Sequence, residues 1–237
     1  MDEVLERARS DAGALAGEGL DGILVENFLD APFFGARVPA ETVAAMTRAA
    51  AEVVAEVAAR SPVPVGVNVL RNDARAALAV AVASGAAFIR VNVHVGTMWT
   101  DQGILEGRAA RTLRARAVLS AQVAILADVM VKHATPPPGL TVEAAAADTW
   151  SRGLADALVV TGAGTGKETD LGRVAQARAG APDATVLVGS GVTPATVAGV
   201  LQMADGAIVG SSLARDGRAG SGVEPERVRA LVRARGG

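Results

Sequence analysis

Seven short runs rich in Val and Ile recur along the chain, each followed by an Ala-rich amphipathic stretch. This alternation restricts the fold more than any other feature. The runs predict strands over Gly22–Glu26, Val63–Leu70, Phe88–Val93, Val123–Val129, Ala157–Thr161, Thr185–Val188 and Gly206–Val209. The other stretches predict helices over Asp2–Glu18, Ala40–Arg60, Ala74–Ser84, Gln102–Val118, Val142–Gly153, Leu171–Ala177, Pro194–Met203 and Pro225–Arg235. Strands that alternate with helices build a parallel sheet. The pattern predicts an α/β protein, a (β/α)8 TIM barrel with its N-terminal first strand missing from this chain, because the chain opens in a helix where a barrel opens in a strand. A doubly wound open sheet is the alternative, and it predicts one crevice at a switch point. No linker divides the 237 residues, which read as one domain. Helix starts are marked by Pro39-Ala40-Glu41, by Asn72-Asp73 before Ala74, and by Thr193-Pro194 as N-cap and first residue.

Composition narrows the function. Half of the residues are hydrophobic and the net charge is only −2, which excludes intrinsic disorder. Cys is absent, so disulfide scaffolds, thiolate nucleophiles and zinc ribbons are excluded. The near-neutral balance argues against nucleic acid as the main partner. No run approaches the roughly 20 apolar residues of a bilayer span. The acidic, amphipathic N-terminus lacks the pattern of a signal peptide, so the chain reads as cytoplasmic. Aromatic residues are scarce, and three of the six, Phe28, Phe33 and Phe34, follow the first strand, where they would shape a pocket. Basic charge is almost all Arg. Lys occurs only at positions 132 and 167, and Lys, unlike Arg, can release its proton.

Strand parity supports the barrel. In the third strand Ile89, Val91 and Val93 lie on one face, and Phe88, Arg90, Asn92 and His94 on the other. In the fourth, Val123, Ile125, Val129 and Val131 oppose Leu126, Asp128, Met130 and Lys132. The β-branched faces suit packing under helices. The opposite faces then carry Glu26, Asn68, Arg90, Asn92 and Asp128 into the barrel. A buried charge requires a partner, so Arg90 is expected to meet Glu26 or Asp128.

Active sites of barrels lie at the carboxyl ends of the strands. Here those ends read Glu26-Asn27-Phe28, Asn68 to Asp73, Asn92-Val93-His94, Asp128 to His133, Thr161 to Gly166, Gly189-Ser190-Gly191 and Gly210-Ser211-Ser212. The loops at the other ends are plain turns. Gly-Ser-Gly and Gly-Ser-Ser after the last two strands fit a phosphate site, because Gly lets the backbone approach an anion and free N–H groups bind it. Gly162 and Gly164 belong to a further glycine-rich loop. That loop is not a P-loop, since Glu168 stands where Ser or Thr is needed; it reads as a mobile substrate loop. Asp128, Lys132 and His133 form a candidate acid–base cluster. Asp101-Gln102 reads as a helix start and cap. No ligand spacing in Asp101, Glu106, Asp128 and His133 demands a metal, and no cofactor is expected.

The blocks GLDGILVENFLDAPFF, PVGVNVLRNDARAALAVA, GAAFIRVNVHVGTMWTDQGILEGRAARTLRAR, ILADVMVKHA, DALVVTGAGTGKETDL, VLVGSGVT and DGAIVGSSLARDGR closely resemble the BtpA/SgcQ family, from about Leu5 to the C-terminus. The resemblance implies a TIM barrel of the ribulose-phosphate-binding type. Some members are named for a role in photosystem I biogenesis, and others sit among sugar-metabolism genes. Members usually open with a strand and a loop containing His and Pro, a segment absent ahead of the first helix here. Glu26 and Asn27 match the family's ENF. Asn68, Arg71, Asn72 and Asp73 match NVLRND, and Arg90 and Asn92 match IRVN. Asp101 and Gln102 match TDQG, and Asp128, Lys132 and His133 match ADVxVKHA.

Two functions are therefore expected as alternatives. One is an enzyme acting on a phosphorylated small molecule such as a sugar phosphate, by isomerase, lyase or glycosyl-transfer chemistry. Glu26, Asn68, Arg90, Asn92, Asp128, Lys132 and His133 would supply the chemistry. Gly162, Gly164, Gly189, Ser190, Gly191, Gly210, Ser211 and Ser212 would hold the phosphate. The other is a non-enzymatic assembly factor for a membrane complex, marked by a broad exposed apolar patch. An Ala-rich outer helix offers a face for a homo-oligomer.

Overall fold

The chain begins in helix α1 (Asp2–Ala16), passes through β1 (Ile23–Glu26), α2 (Ala40–Arg60), β2 (Val65–Asn68), α3 (Ala74–Ser84) and β3 (Phe88–Val91), and then forms a hairpin, β4 (Thr97–Thr100) with β5 (Gly103–Glu106). There follow α4 (Ala109–Val118), β6 (Ala124–Val129), β7 (Ala134–Thr135), α5 (Val142–Ala147), β8 (Ala157–Val160) and α6 (Leu171–Gly180). The last elements are β9 (Val186–Val188), α7 (Val197–Leu201), β10 (Gly206–Ala207) and α8 (Pro225–Arg235). This computed structural model describes residues 1–162 and 170–236.

All seven predicted strands form, and they make one parallel sheet in the order β1-β2-β3-β6-β8-β9-β10. The order never reverses, so there is no switch point and the doubly wound alternative is excluded. The sheet is curled. Gly189 follows β9, which is separated from β3 by two strands, yet a methyl group added at Gly189 would lie 3.2 Å from the Arg90 guanidinium on β3. Side chains of distant strands therefore meet inside, as in a barrel.

The parity expectation holds through the sheet. Val67, Ile89, Val91 and Ile125 face outward and pack with Met46 and Ala50 of α2 and Ala77 and Val80 of α3. Val129, Leu158, Val160, Val186 and Val188 pack with Val174 and Ala177 of α6 and with Val228 and Leu231 of α8. The inner face is different. Phe88 lies over Gly66 on the neighbouring strand, where any added Cβ would clash with its ring at 2.0 Å. Above that apolar floor sit Arg90 and Asp128. The two ends of the chain are joined by Arg229 to Glu18, Arg235 to Asp21 and the Val223 amide to Asp11.

Four expectations need correction. The predicted helix Gln102–Val118 begins only at Ala109; its first part is strand β5. Asp101 and Gln102 therefore cap no helix and form the hairpin turn, closed by Gly103 at φ +91°. A small antiparallel sheet, β5-β4-β7, results. Leu105 and Met98 face inward on Val93 and Val131, so the alternation is that of a strand. The predicted helix Val142–Gly153 turns into a π-helical segment at Asp148–Arg152. Thr193-Pro194 precedes α7 by a full turn, with the Thr193 carbonyl accepting from Thr196 and Val197. Asp73 does cap α3, accepting from the Ala76 amide, but Asn72 instead bonds both backbone groups of Val93. No helix among the described residues is long and apolar enough to cross a membrane.

Candidate active site

The barrel interior holds one ion pair that organises its mouth. Arg90 Nε donates to Asp128 Oδ1 at 2.8 Å and its Nη2 donates to Oδ2 at 3.0 Å. This is the bidentate geometry that makes guanidinium–carboxylate pairs strong. Arg90 Nη1 lies 3.5 Å from Glu26 Oε1, so the expected partners are both present. Burial works against the Arg90 charge, but Asp128 and Glu26 outweigh it and hold the guanidinium more firmly protonated than usual. Two amides extend the network. Asn92 Nδ2 donates to Asp128 Oδ2 at 3.0 Å, and Asn68 Nδ2 donates to Glu26 Oε1 at 2.8 Å. Four parallel strands thus contribute one polar group or more each, at the end where a barrel carries its chemistry.

A cavity of about 430 Å³ opens above this network. Its floor is Glu26, Asn68, Arg90 and Asn92, and Phe28 and Phe33 form an apolar wall. Arg71, Lys132 and His133 stand on the rim, and the hairpin turn brings in Asp101 and Gln102. Arg71 is fixed by donating to the Lys132 carbonyl at 2.6 Å. Burial makes it less basic than usual, an effect opposed chiefly by Asp128 and Asp101; a guanidinium nevertheless stays charged. Lys132 is also less basic than an ordinary lysine. Burial is the main cause and the charge of Arg90 the next, with Glu26 and Asp128 pulling the other way.

The segment after β6 is held in an unusual backbone. Met130 and His133 have φ of +53° and +56°, a left-handed conformation that costs about 1–3 kcal/mol per residue without glycine. Three bonds offset this. Lys132 N donates to Thr161 Oγ1 at 3.0 Å, Lys132 O accepts from Arg71, and Met130 O accepts from Arg173 Nη2 at 3.2 Å. The turn aims Lys132 at the cavity and leaves His133 exposed at its edge, where it also lines an open depression beside Trp99.

The glycine loops stand next to this cavity rather than in its wall. Gly162 N donates to Ser190 Oγ at 3.1 Å, and Ser212 Oγ donates to the Val192 carbonyl at 2.8 Å, which ties the loops after β8, β9 and β10 together. Gly191 has φ +73°. The amides of Gly191, Ser211 and Ser212 find no acceptor among the described residues. Ser211 and Ser212 open a short 3-10 turn after Gly210. Gly189 stands close enough to Arg90 that an added methyl group would lie 3.2 Å from its Nη2, so that guanidinium is the bridge between the two halves of the mouth. Gly164 and Lys167 lie outside the described residues.

His94 does not share this mouth. Predicted to face inward, it instead bonds the Gly153 carbonyl through Nε2 at 2.9 Å, buried against the π-helical turn. The strand ends at Val91, so strand parity no longer governs position 94. Among the described residues no group of three or more His, Asp or Glu side chains is spaced to hold a metal ion.

Sequence reasoning put Phe28 and Phe33 at a pocket and Arg71, Asp101 and Gln102 at family motif positions, but gave none of the five a catalytic or binding role. Phe28 and Phe33 had a usable signal in their position after β1. Asp101-Gln102-Gly103 had one too, since two residues followed by Gly between Thr97–Thr100 and an alternating Ile104-Leu105 segment fit a tight hairpin. For Arg71 the signal was the NVLRND motif in which it stands.

Seven parallel strands curled about a polar interior, with charged groups gathered at their carboxyl ends, define a TIM-barrel-like α/β protein. Solved structures agree: thiamine phosphate pyrophosphorylase from Pyrococcus furiosus superposes with a TM-score of 0.62 at 14% identity over 98% of this chain and 89% of that one. Phosphoribosyl anthranilate isomerase from Thermus thermophilus gives 0.61 at 15% identity over 95% and 92%. Residues 1–236 match the BtpA family, and the chain belongs to it. It is 48% identical to the photosystem I biogenesis protein BtpA of Synechocystis over 98% of this chain and 79% of that protein. An uncharacterized protein of Pyrococcus horikoshii is 43% identical over 98% and 87%.

Proposed function

We propose that this protein is an enzyme acting on a phosphorylated small molecule of the sugar-phosphate kind, held at the C-terminal mouth of the barrel. The observation that carries this reading is the buried Arg90–Asp128 pair with Glu26, Asn68 and Asn92, set beneath an open cavity. Cores do not gain stability from such a network over apolar packing, so its place under a cavity points to ligand chemistry. The amides of Gly191, Ser211 and Ser212, with Gly162, Gly189, Ser190 and Gly210 shaping their loops, are suited to the phosphate. The sugar portion then extends past Arg90 toward Glu26 and Lys132. Two neighbours in fold carry names that refer to phosphorylated compounds, thiamine phosphate and phosphoribosyl anthranilate, which accords with this arrangement.

The residue roles follow from their partners. Both Asp128 oxygens are engaged by Arg90 and Asn92, so Asp128 positions and charges Arg90 rather than moving protons. Glu26 keeps one oxygen outside the bonds described, and Lys132 is less basic than an ordinary lysine, so these two groups carry proton transfer or carbonyl activation. His133 assists from the rim. Isomerase, lyase and glycosyl-transfer reactions all fit this set.

The test is thermal denaturation in the presence of ribose 5-phosphate and glycerol 3-phosphate. A ligand at 100 times its Kd stabilises a folded protein by about 2.7 kcal/mol, so a rise in Tm is expected. Gly191→Asp places a carboxylate beside the amides, and the rise should then disappear. If wild type shows no shift with any phosphate compound, the reading fails.

A second reading, an assembly factor for a membrane complex, is favoured by one observation besides the name of the Synechocystis relative. Trp99 and Ile104 are directly opposite each other on β4 and β5 and are 46% and 64% exposed, an apolar pair on the outer face of the small sheet. Under this reading Trp99→Ser with Ile104→Ser abolishes co-migration with a membrane complex and leaves phosphate-induced shifts untouched.

A further inference from the structure

Among the described residues that line the cavity, Lys132 is the cation whose charge is left without a partner. Arg90 is paired with Asp128, and Arg71 is bonded to a carbonyl. The Lys132 ammonium makes no hydrogen bond or ion pair with any described residue, although it lines the cavity and is partly buried. The groups around it are Arg90 on β3, Arg71 after β2, Glu26 on β1, Asp128 on its own strand, Asp101 in the hairpin turn, and His133. Burial and the nearby guanidiniums of Arg90 and Arg71 shift such a lysine toward its neutral amine, the nucleophilic form.

Two further groups say what kind of molecule belongs there. Asn92 is 3% exposed, and its Nδ2 is committed to Asp128, an acceptor only, which fixes the orientation of the amide. Its Oδ1 is buried without a donor, in a residue that lines the cavity. Gln102 is oriented the same way: Nε2 donates to Asp101, and buried Oε1 has no donor. A buried acceptor left unmatched costs about 1–3 kcal/mol, so both positions call for hydroxyl or N–H donors on a ligand. The ligand therefore offers donors to Asn92 and Gln102 and an electrophile to Lys132.

We propose that the Lys132 ε-amine forms an imine with the carbonyl carbon of a hydroxylated aldehyde or ketone bound in this cavity. The inference rests on the reading of the mouth as an enzyme site and names the substrate class. The nitrogen lone pair forms the new C–N bond while the carbonyl π bond breaks onto oxygen, which takes up a proton from water, so that loss of the hydroxyl gives the protonated imine. Glu26 accepts the proton released by nitrogen and returns it to the hydroxyl, which leaves as water when the C–O bond breaks. No oxidant or reductant is needed. The imine then withdraws electrons from the neighbouring carbon, as isomerisation or lyase chemistry requires.

The chain has only two lysines, which makes the test direct. The protein is incubated at about pH 7 with dihydroxyacetone phosphate and sodium cyanoborohydride, which delivers hydride to the iminium carbon and leaves a stable secondary amine. The adduct is located by peptide mass spectrometry. Each unit by which an amine becomes more acidic raises its neutral fraction about tenfold. Lys132 should thus carry the larger share of the adduct, and its labelling should reach half its maximum below the ordinary lysine value of 10.5. Glycerol 3-phosphate, which has no carbonyl, should compete with the labelling and shift Tm without forming an adduct. A Tm shift by both compounds with no adduct at Lys132, or with equal adduct on both lysines, overturns the imine and leaves the phosphate site standing. Adduct at Lys132 without any effect of glycerol 3-phosphate supports the imine and removes the phosphate site.

Discussion

Arg90 and Asp128 carry more consequence than any other pair of side chains in the interior. Their side chains are 4% and 0% exposed. Removing the carboxylate leaves a guanidinium with Glu26 alone, and breaking a buried pair costs about 3–5 kcal/mol. Asp128→Ala is therefore expected to lose stability of that order in urea denaturation, whereas Glu26→Gln should lose much less because Glu26 is partly exposed and farther from Arg90. Equal losses would show that the two carboxylates share the charge. His94 supplies a separate pH test. With Nε2–H donating to the Gly153 carbonyl, Nδ1 is a buried acceptor with no partner. Burial chiefly, and Arg116 in a smaller part, lower its pKa from 6.5, partly opposed by the bond to Gly153. The unfolded chain then binds the proton first, so His94 contributes full stability above pH 6.5 and loses it as pH falls from there through its folded pKa. His94→Gln should show a flatter loss of stability over that window; a parallel loss would assign the effect elsewhere.

The elements were legible where one periodicity ran uninterrupted. Helices α2 and α3 match their predicted ranges at both ends, because apolar residues keep a helical spacing and Pro39 and Asp73 mark the starts. The hairpin was not legible in the same way. In Gln102–Val118 a four-residue strand runs directly into a ten-residue helix, and Ile104 and Leu105 fit either period within so short a window. The consequence reaches the site, since the hairpin turn is what carries Asp101 and Gln102 over the cavity. The floor between β2 and β3 can be tested by packing. Gly66→Ala drives a methyl into the Phe88 ring, and overpacking of this kind costs about 1–3 kcal/mol. Adding Phe88→Leu should recover part of that loss in thermal denaturation. If the double variant is no better than the single one, the two residues do not share the floor.

The barrel as a whole explains which parts of the site could be anticipated. Parity placed Glu26, Asn68, Arg90, Asn92 and Asp128 on inner faces, and curling of the sheet then brought them within bonding distance, because side chains on one concave face have nowhere else to go. The residues beyond the last strand position were harder. Lys132, His133, Arg71 and His94 take their directions from loop backbones, and two of the residues in the Met130 to His133 turn adopt a left-handed φ that no strand rule anticipates. Position 94 shows the same limit in reverse, since it follows a strand yet turns away from the mouth. The division of the mouth into a cavity on one side of Arg90 and free amides on the other is likewise a property of the curled sheet. The account depends on a single ligand reaching across that division. A crystal structure with ribose 5-phosphate tests this most directly. The account predicts phosphate oxygens within hydrogen-bond distance of the Gly191 and Ser211 amides and the sugar directed past Arg90 toward Glu26 and Lys132. A phosphate bound elsewhere, with those amides still unmatched and the cavity empty, would contradict it.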